Sequence, residues 1–454
     1  MAPHITPALQ EVRQRVEELL AAHKMDELHT YLARQHPADI ADLLEVLDDD
    51  QRVAIFNLLR LDIAAEVLDE TRTEVTRDLV EAVPAEKIAD VLEAMPVDDA
   101  AEVLSELPED RAEDLLELME PREAAEVETL LSYPEDSAGR LMTTKVARLD
   151  SSWTVDQTLN YLRSIDRDTE ALAYLYVVSG EGRLVGVVPL WDLLTAAPSK
   201  RIASLMNPIV VSVRADTDQE EVARIVSQYD YFAIPVVDHR DRLLGIITHD
   251  DVIDILQDEF TEDVQRFGGS QPLEHTYLST PVITVARKRV GWLLVLFLTE
   301  MLTGTVLRFF EHELREVVAL SFFIPLLIGT GGNAGSQTTS TIIRALAVGE
   351  ARFKDAWRLL WHEMRAGVLL GLVMGLVGFA RALTWHSPLP LAMTVGAALF
   401  TIVLWANIIG SLLPPLADRL RIDPTVISGP VMSTLVDATG LIIYFTLAKI
   451  IMGL

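Results

Sequence analysis

Charge and apolarity occupy different parts of this chain, and their separation limits its possible folds more than any other feature. Residues 287–454 hold 14 Lys/Arg and 10 Asp/Glu, whereas residues 1–286 hold 24 and 58. Formal charge is therefore +4 in the last part and −34 in the first. Half of the 454 residues are hydrophobic, which a single acidic soluble domain cannot accommodate. The length also exceeds one domain at about 150 residues each. A part at −34 argues against nucleic acid or an anionic membrane surface as its main partner, because both are polyanions. Acidic surfaces attract cations, and acidity for solubility alone stays open. With no cysteine, disulfides, thiolate zinc sites and cysteine nucleophiles are excluded. Met1 to Gln10 lacks a basic region and a long apolar run, so no cleaved signal is expected.

From Gly291 onward, five stretches have the length that a ~30 Å hydrocarbon core demands. They are Gly291–Leu307, Val317–Ile343, Ala366–Ala380 with a few flanking residues, Ala382–Ala417 with a helix inside Pro390–Leu413, and Ile427–Leu447. Lys and Arg collect on one side of this arrangement. Arg287, Lys288 and Arg289 precede the first span, Arg344, Arg352, Lys354, Arg358 and Arg365 lie between the second and third, and Arg419 and Arg421 lie between the fourth and fifth. The other side has Arg308, Arg315 and Arg381. The excess of positive charge on the cytoplasmic side puts the N-terminus in the cytoplasm, and five spans then put the C-terminus outside. The expected location is the inner (plasma) membrane.

Residues 1–131 are repetitive. Ala41-Asp-Leu-Leu, Ala65-Glu-Val-Leu, Ala89-Asp-Val-Leu and Ala101-Glu-Val-Leu are spaced by 24, 24 and 12 residues, and Ala112-Glu-Asp-Leu and Ala125-Glu-Val continue the series. Pro84, Pro96, Pro108 and Pro121 punctuate it. Each unit reads as a short helix with one apolar face followed by a turn, and stacked units make an all-α superhelical array. No nucleophile–base constellation occurs in it, so no enzyme is expected.

Two similar stretches follow. The first has Leu141-Met-Thr, Leu175-Tyr-Val-Val and Gly186-Val-Val-Pro-Leu-Trp-Asp192. The second has Leu205-Met-Asn-Pro, Ile234-Pro-Val-Val and Gly245-Ile-Ile-Thr-His-Asp-Asp251. They resemble a pair of CBS domains, each a short strand, a helix, two hairpin-like strands and a helix. Such pairs often bind adenosine nucleotides through a Thr/Ser-x-x-Asp. Thr248 and Asp251 keep that pattern, while the first repeat has Pro189 and Asp192 and lacks the hydroxyl. Trp191 is suited to stack on a base or to fill an interface. Trp191, Asp192 and Thr248 are therefore nucleotide-binding candidates, with ATP as the ligand.

Two motifs lie inside spans. Gly329-Thr-Gly-Gly-Asn333-Ala-Gly335-Ser-Gln337 has four glycines in seven residues, which permits close helix approach or locally unwound backbone. Asn333 and Gln337, at i and i+4, face a pore or a neighbour. Asp437, in Pro430-Val-Met-Ser-Thr-Leu-Val-Asp-Ala-Thr-Gly440, is costly within a bilayer and marks a functional site by default. A protonated carboxyl and a pair with a distant Arg are the alternatives. Glu300 is a second acid within a span and reads equally as pore lining or as a bundle contact. Asn407, with Gly410 and Pro414, reads as packing or a kink.

The acidic array, the CBS pair, a linking helix, five spans, Gly-Thr-Gly-Gly-Asn-x-Gly-x-Gln and Asp-x-Thr-Gly together resemble the MgtE family of magnesium channels over essentially the whole chain. The resemblance divides it into an acidic α-helical domain (1–135), CBS domains (136–200 and 201–257), a connecting or plug helix (258–286) and a transmembrane domain (287–454). It implies a homodimer in the lipid bilayer, with a pore on the two-fold axis, Asp437 as the pore acid and Ser433 beside it. Gly332, Asn333, Gln337, Thr439 and Gly440 become pore-lining candidates. Gly429 stands where the family has Asn before the proline. Glu66, Asp98, Glu220, Asp230, Asp251, Glu259, Glu262, Asp263 and Asp423 match regulatory Mg²⁺ positions, and Glu102 stands where Asp is familiar.

The implied function is a Mg²⁺-selective channel that closes when intracellular Mg²⁺ binds these acids. Two carboxylates ~6 Å apart repel by roughly 0.7 kcal/mol in water and about 2.8 kcal/mol at an effective dielectric of 20. Bridging by Mg²⁺ relieves that repulsion and draws the modules together, with the amphipathic helix expected over Asp254–Phe267 acting as plug. The rivals are a broader carrier of Mn²⁺, Co²⁺ or Ni²⁺, a nucleotide-regulated membrane enzyme, for which Asp418 and Asp423 are too few, and a nucleotide sensor that only signals.

Overall fold

The computed structural model describes residues 7–165, 173–273, 277, 280–347, 349–420, 422–426 and 429–454, with only the backbone of 7, 8, 418, 426 and 429. Arg421 and Ile427, used above for orientation and for the fifth span, lie outside the described residues, as does the side-chain environment at Gly429. The chain divides into two compact units, Met1–Gln257 and Asp258–Leu454.

The first unit opens with helices α1 (Pro7–Ala21), α2 (Met25–Leu32), α3 (Pro37–Val46), α4 (Asp49–Leu58), α5 (Leu61–Glu70), α6 (Thr73–Ala82), α7 (Ala85–Ala94), α8 (Val97–Ser105), α9 (Glu109–Leu118) and α10 (Pro121–Leu131). The repeat dictates them. Each buries one short stripe, such as Ala64, Ala65, Val67 and Leu68 on α5 and Ile88, Ala89, Val91 and Leu92 on α7. No ten-residue helix is stable alone, so alternate helices stack: α3 on α5, α5 on α7, α7 on α9, α4 on α6 and α8 on α10. Pro84, Pro96 and Pro108 stand at the N-caps of α7, α8 and α9, and Pro121 opens α10. Proline there loses no helical hydrogen bond and cannot continue the preceding helix. Buried Arg52 ties three helices together. Its guanidinium pairs with Asp78 at 3.0 Å and Asp49 at 3.1 Å and donates to the Leu44 carbonyl at 3.0 Å.

The tandem repeats follow as β1 (Arg148–Asp150), α11 (Val155–Leu162), β2 (Tyr174–Val178), β3 (Leu184–Pro189) and α12 (Leu190–Thr195), then β4 (Val213–Arg214), α13 (Gln219–Tyr229), β5 (Ala233–Val237), β6 (Leu243–Thr248) and α14 (His249–Phe267). Each has a three-stranded sheet in which a parallel pair is followed by an antiparallel one. Both antiparallel pairs slip register at the equivalent place, Val177/Val178 and Val236/Val237. The repeats join reciprocally: Leu184 N–H donates to the Asp241 carbonyl at 2.9 Å, and Leu243 N–H to the Gly182 carbonyl at 3.0 Å. The α-helical array docks on them through Arg140, which donates to the Ala101 carbonyl at 3.0 Å. The helix expected over Asp254–Phe267 is part of the longer α14, because no Gly or Pro interrupts the chain between His249 and Phe267.

In the second unit, α15 (Val282–Phe309), the short α16 (Glu311–Glu316), α17 (Ile324–Ala347), α18 (Ala356–Thr384), α19 (Leu389–Arg419) and α20 (Gly429–Met452) follow. Among the described residues five helical segments are long and apolar enough to cross a membrane: Val282–Phe309, Val318–Ala347, Phe353–Thr384, Leu389–Ala417 and Pro430–Met452. Three ends differ from expectation. Arg287, Lys288 and Arg289 lie inside the first helix rather than before it. The third begins more than ten residues before Ala366 and takes in Arg358, Glu363 and Arg365, since polar side chains do not stop a helix at a membrane edge. The fourth continues through Pro414 and Pro415.

Helices α18 and α19 approach closely because Gly367, Gly371, Gly375 and Gly378 are buried along one face of α18. A Cβ on Gly375 would meet the Gly396 carbonyl at 2.8 Å. Near the end of α20, Lys449 pairs with the buried Glu313 of α16 at 2.6 Å. The Lys449 side chain is 45 % exposed, so solvent partly screens this pair.

Candidate cation path and acidic clusters

The glycine-rich motif forms continuous helix in α17, so its glycines serve close approach and not unwinding. A Cβ on Gly331 would stand 2.5 Å from Ile402 and 2.8 Å from Val436, and one on Gly332 3.1 Å from the Ser433 hydroxyl. Thus α17 lies directly against the stretch of α20 that carries Ser433 and Asp437. The Ser336 and Ser433 hydroxyl oxygens are 3.5 Å apart. Met432 is fully buried against Gly335.

Asp437 is half-buried, and its Oδ1 is shut off from solvent with no hydrogen-bond partner among the described residues. It lies within electrostatic reach of Glu300 on α15. Asn333 and Gln337 are exposed on one face of α17 together with Ser340. Thr439 is not on the Asp437 face, since two residues along a helix turn about 200°. Its hydroxyl accepts from Trp405 Nε1 at 3.0 Å, and Gly440 lies beside Ile402. Asn407 is buried and accepts a hydrogen bond from Thr338, which also reaches Glu363 at 3.3 Å. Glu363 escaped the sequence reading because a charge-free window hides an acid in the first turns of a span.

In the first unit the structure gathers Asp98, Asp99 and Asp251, with one carboxylate oxygen of each within 4.8 Å of the others. This is the one such group among the described residues. Asp98 and Asp99 sit in the first turn of α8 and Asp251 in the first turn of α14, where the partial positive charge of a helix N-terminus steadies anions. Three converging carboxylates are a fitting donor set for a hard divalent cation. Asp99 was missed because adjacent acids look interchangeable in sequence.

Beside this group Asp69 keeps solvent contact yet has its pKa pushed up to about 6, first by partial loss of hydration and then by Glu70, Asp251, Asp254 and Asp250. Burial likewise raises Asp251, against the hydrogen bonds from Thr248. Glu66 is exposed on α5, and Glu102 is exposed on α8 within reach of Arg140. Glu220 is exposed in the first turn of α13, and Asp230 ends that helix at φ 53°.

In the second unit Arg266 bridges acids from two segments. It pairs with Glu262 one turn back on α14 and donates to Asp423 Oδ2 at 2.6 Å. Asp423 also accepts from the Thr425 hydroxyl at 2.7 Å and backbone N–H at 2.8 Å. Burial opposes its ionisation, but these hydrogen bonds hold its carboxyl below the ordinary range. Asp263 is raised by burial and by Asp423, and Glu259 lies within charge range of Arg266.

At the prospective nucleotide positions, the Thr248 hydroxyl donates to Asp251 Oδ2 at 2.6 Å. Trp191 is 73 % exposed and Asp192 is exposed beside it. Asp251 thus belongs both to the Thr-x-x-Asp pattern and to the acidic group.

Comparison with known proteins places these features. Residues 35–136 match the model of the MgtE intracellular N domain, residues 138–199 and 202–258 match CBS domains, and residues 324–447 match the MgtE divalent cation transporter model. The magnesium transporter MgtE of Thermus thermophilus is 44 % identical over 336 residues, 74 % of each chain. The chain belongs to the MgtE family of magnesium transporters. The MgtE of Bacillus subtilis is 35 % identical over 73 % of each chain. A crystal structure of the cytosolic domain of the Mg²⁺ channel MgtE in complex with ATP superposes with a TM-score of 0.52 at 40 % identity, covering 54 % of this chain and 99 % of that one. Family membership together with five apolar helices makes this a multi-pass membrane protein. The function it supports is Mg²⁺ transport, a non-enzymatic one.

Proposed function

We propose that the chain is a Mg²⁺ channel that works as a homodimer, with Asp437 as its pore acid, closed by intracellular Mg²⁺ at its acidic cytoplasmic sites. The observation that carries the pore assignment is Asp437 Oδ1, buried in the fifth span without a hydrogen-bond partner among the described residues. An ionised carboxylate there needs a counter-charge, and a hydrated dication shared with a second copy supplies it. Mg²⁺ sheds water reluctantly, so the carboxylates and the polar groups near Ser433 and Gly332 read its water shell. Met432, the soft atom nearest in sequence, is packed away against Gly335, which favours a hard ion over Mn²⁺, Co²⁺ or Ni²⁺.

The closing signal is read by Asp98, Asp99 and Asp251 in one unit and by Glu259, Glu262, Asp263 and Asp423 in the other, with Glu66, Glu102, Glu220 and Asp230 on the surrounding surface. Without a divalent ion these acids repel, and with one they hold the cytoplasmic modules in the closed arrangement. This makes a two-state element biased by its ligand. The N-terminus is cytoplasmic and the C-terminus outside. ATP, seen in the crystal structure of the related cytosolic domain, is the nucleotide we assign to Thr248, Trp191 and Asp192.

Patch-clamp recording of the full chain, with Mg²⁺ as sole charge carrier, tests the proposal. Current is expected at low internal Mg²⁺ and should fall as internal Mg²⁺ rises. Absence of Mg²⁺ current while Co²⁺ or Ni²⁺ carries it would favour the broader carrier, and current indifferent to internal Mg²⁺ would remove the gating claim. Arg266 makes a further expectation. Its ion pairs with Glu262 and Asp423 join the plug helix to the segment before α20 without any metal. Arg266→Gln should therefore raise current several-fold at the lowest internal Mg²⁺, as the loss of charged hydrogen bonds worth about 1.5–3 kcal/mol each allows, with closure retained at high Mg²⁺. Unchanged current at low internal Mg²⁺ would show that Arg266 does not hold the helix.

A further inference from the structure

We propose that Glu300 is a second carboxylate of the ion path, holding the hydrated cation jointly with Asp437; this rests on the reading of Asp437 as the pore acid. Glu300 lies near the middle of α15, within the span Val282–Phe309. Its neighbours Phe297, Leu298, Met301 and Leu302 are exposed and apolar. On such a surface an acid is costly unless water, a cation or a polar partner meets it.

The bundle-contact alternative lacks support, since Glu300 is exposed and makes no hydrogen bond or ion pair among the described residues. Among the described residues its electrostatic neighbour is another acid. α15 packs on α20, and this brings Glu300 into charge range of Asp437, whose Oδ1 is itself buried and unpartnered.

One turn further along α15 lies a second polar group without a protein partner among the described residues. Thr303, three residues on and so on the same helix face, is 4 % exposed, and its hydroxyl has no hydrogen-bond partner among the described residues. Among the described residues no protein cation pairs with Glu300 or with the buried oxygen of Asp437. Lys449, on α20, is committed to Glu313, and Arg308 lies eight residues along α15, about 12 Å at 1.5 Å per residue. Glu300 and Asp437 thus stand within charge range of each other with no positive charge between them among the described residues. The transported Mg²⁺ supplies that charge, with its water shell bridging to both carboxylates.

The test is Mg²⁺ influx into proteoliposomes of the full-length chain, with internal Mg²⁺ kept low so that closure does not intervene. Glu300→Gln should raise the half-saturating external Mg²⁺ concentration by about tenfold, the scale on which one partly screened charge acts. Maximal flux should be nearly kept, and Glu300→Asp should recover most of the affinity. Asp437→Asn is the reference and should abolish flux. An unchanged concentration dependence in Glu300→Gln, with Asp437→Asn inactive, would overturn the proposal and leave the pore assignment standing. Equal loss at all concentrations in both Glu300 variants would mark a structural contact and also overturn it. Wild-type flux in Asp437→Asn would remove the pore assignment and this inference together.

Discussion

A cell lacking its own Mg²⁺ uptake should grow on low Mg²⁺ when it carries the wild-type chain and should fail to grow when Asp437 is replaced by Ala. The expected loss is near complete because the interaction removed is between full charges in a poorly screened place. A carboxylate ~5 Å from a dication contributes roughly 6–7 kcal/mol at an effective dielectric of about 20, or four to five orders of magnitude in occupancy. Asn in place of Asp keeps the shape and removes the charge, so it should fail as Ala does. Equal rescue by Asp437→Ala would mean that the ion passes elsewhere. The packing around this residue makes the experiment interpretable. Asp437 is half-buried beside Val436, which is fully buried against the glycines of α17, and its buried Oδ1 has no hydrogen bond to lose among the described residues.

The second large effect concerns closure. Replacing Asp98 and Asp99 together by Asn should leave flux at low internal Mg²⁺ unchanged and raise the half-inhibiting concentration by at least about tenfold, since two of three converging carboxylates lose their charge. Deleting residues 1–131 should weaken inhibition further while transport persists. Measured inhibition equal to wild type in both would sink the sensor role of the N-terminal domain. Asp251 is a poorer choice for this test, because its side chain also accepts hydrogen bonds from Thr248, and its loss would disturb the helix start and the nucleotide pattern as well.

Much of this architecture was legible because it rests on periodicities. The 12- and 24-residue spacing of Ala41, Ala65, Ala89 and Ala101 announces stacked helices, since a short amphipathic helix has no other place to bury its stripe. The tandem Leu-Met pairs and Gly-centred strands announce two equivalent sheets. What escaped depends on side chains from distant segments. Arg266 reads as one more charge on an amphipathic helix, and only the fold carries Asp423, 157 residues away, to within 2.6 Å of it. Asp99 and Asp69 look like ordinary solvated acids until α8, α5 and the start of α14 converge. Thr439 belongs to the same motif as Asp437, yet it faces Trp405.

Composition and spacing alone settled which segments cross a membrane, that an acidic helical array precedes a CBS pair, and that an acid stands within the last span. Those are local quantities, fixed by hydrophobic length, by helical and strand period, and by the cost of charge in hydrocarbon. Which acids meet which, and which remain without a counter-charge, was decided by tertiary packing. Electrostatic energy depends on separation in space and on the surrounding dielectric, and neither is written in the order of residues along the chain.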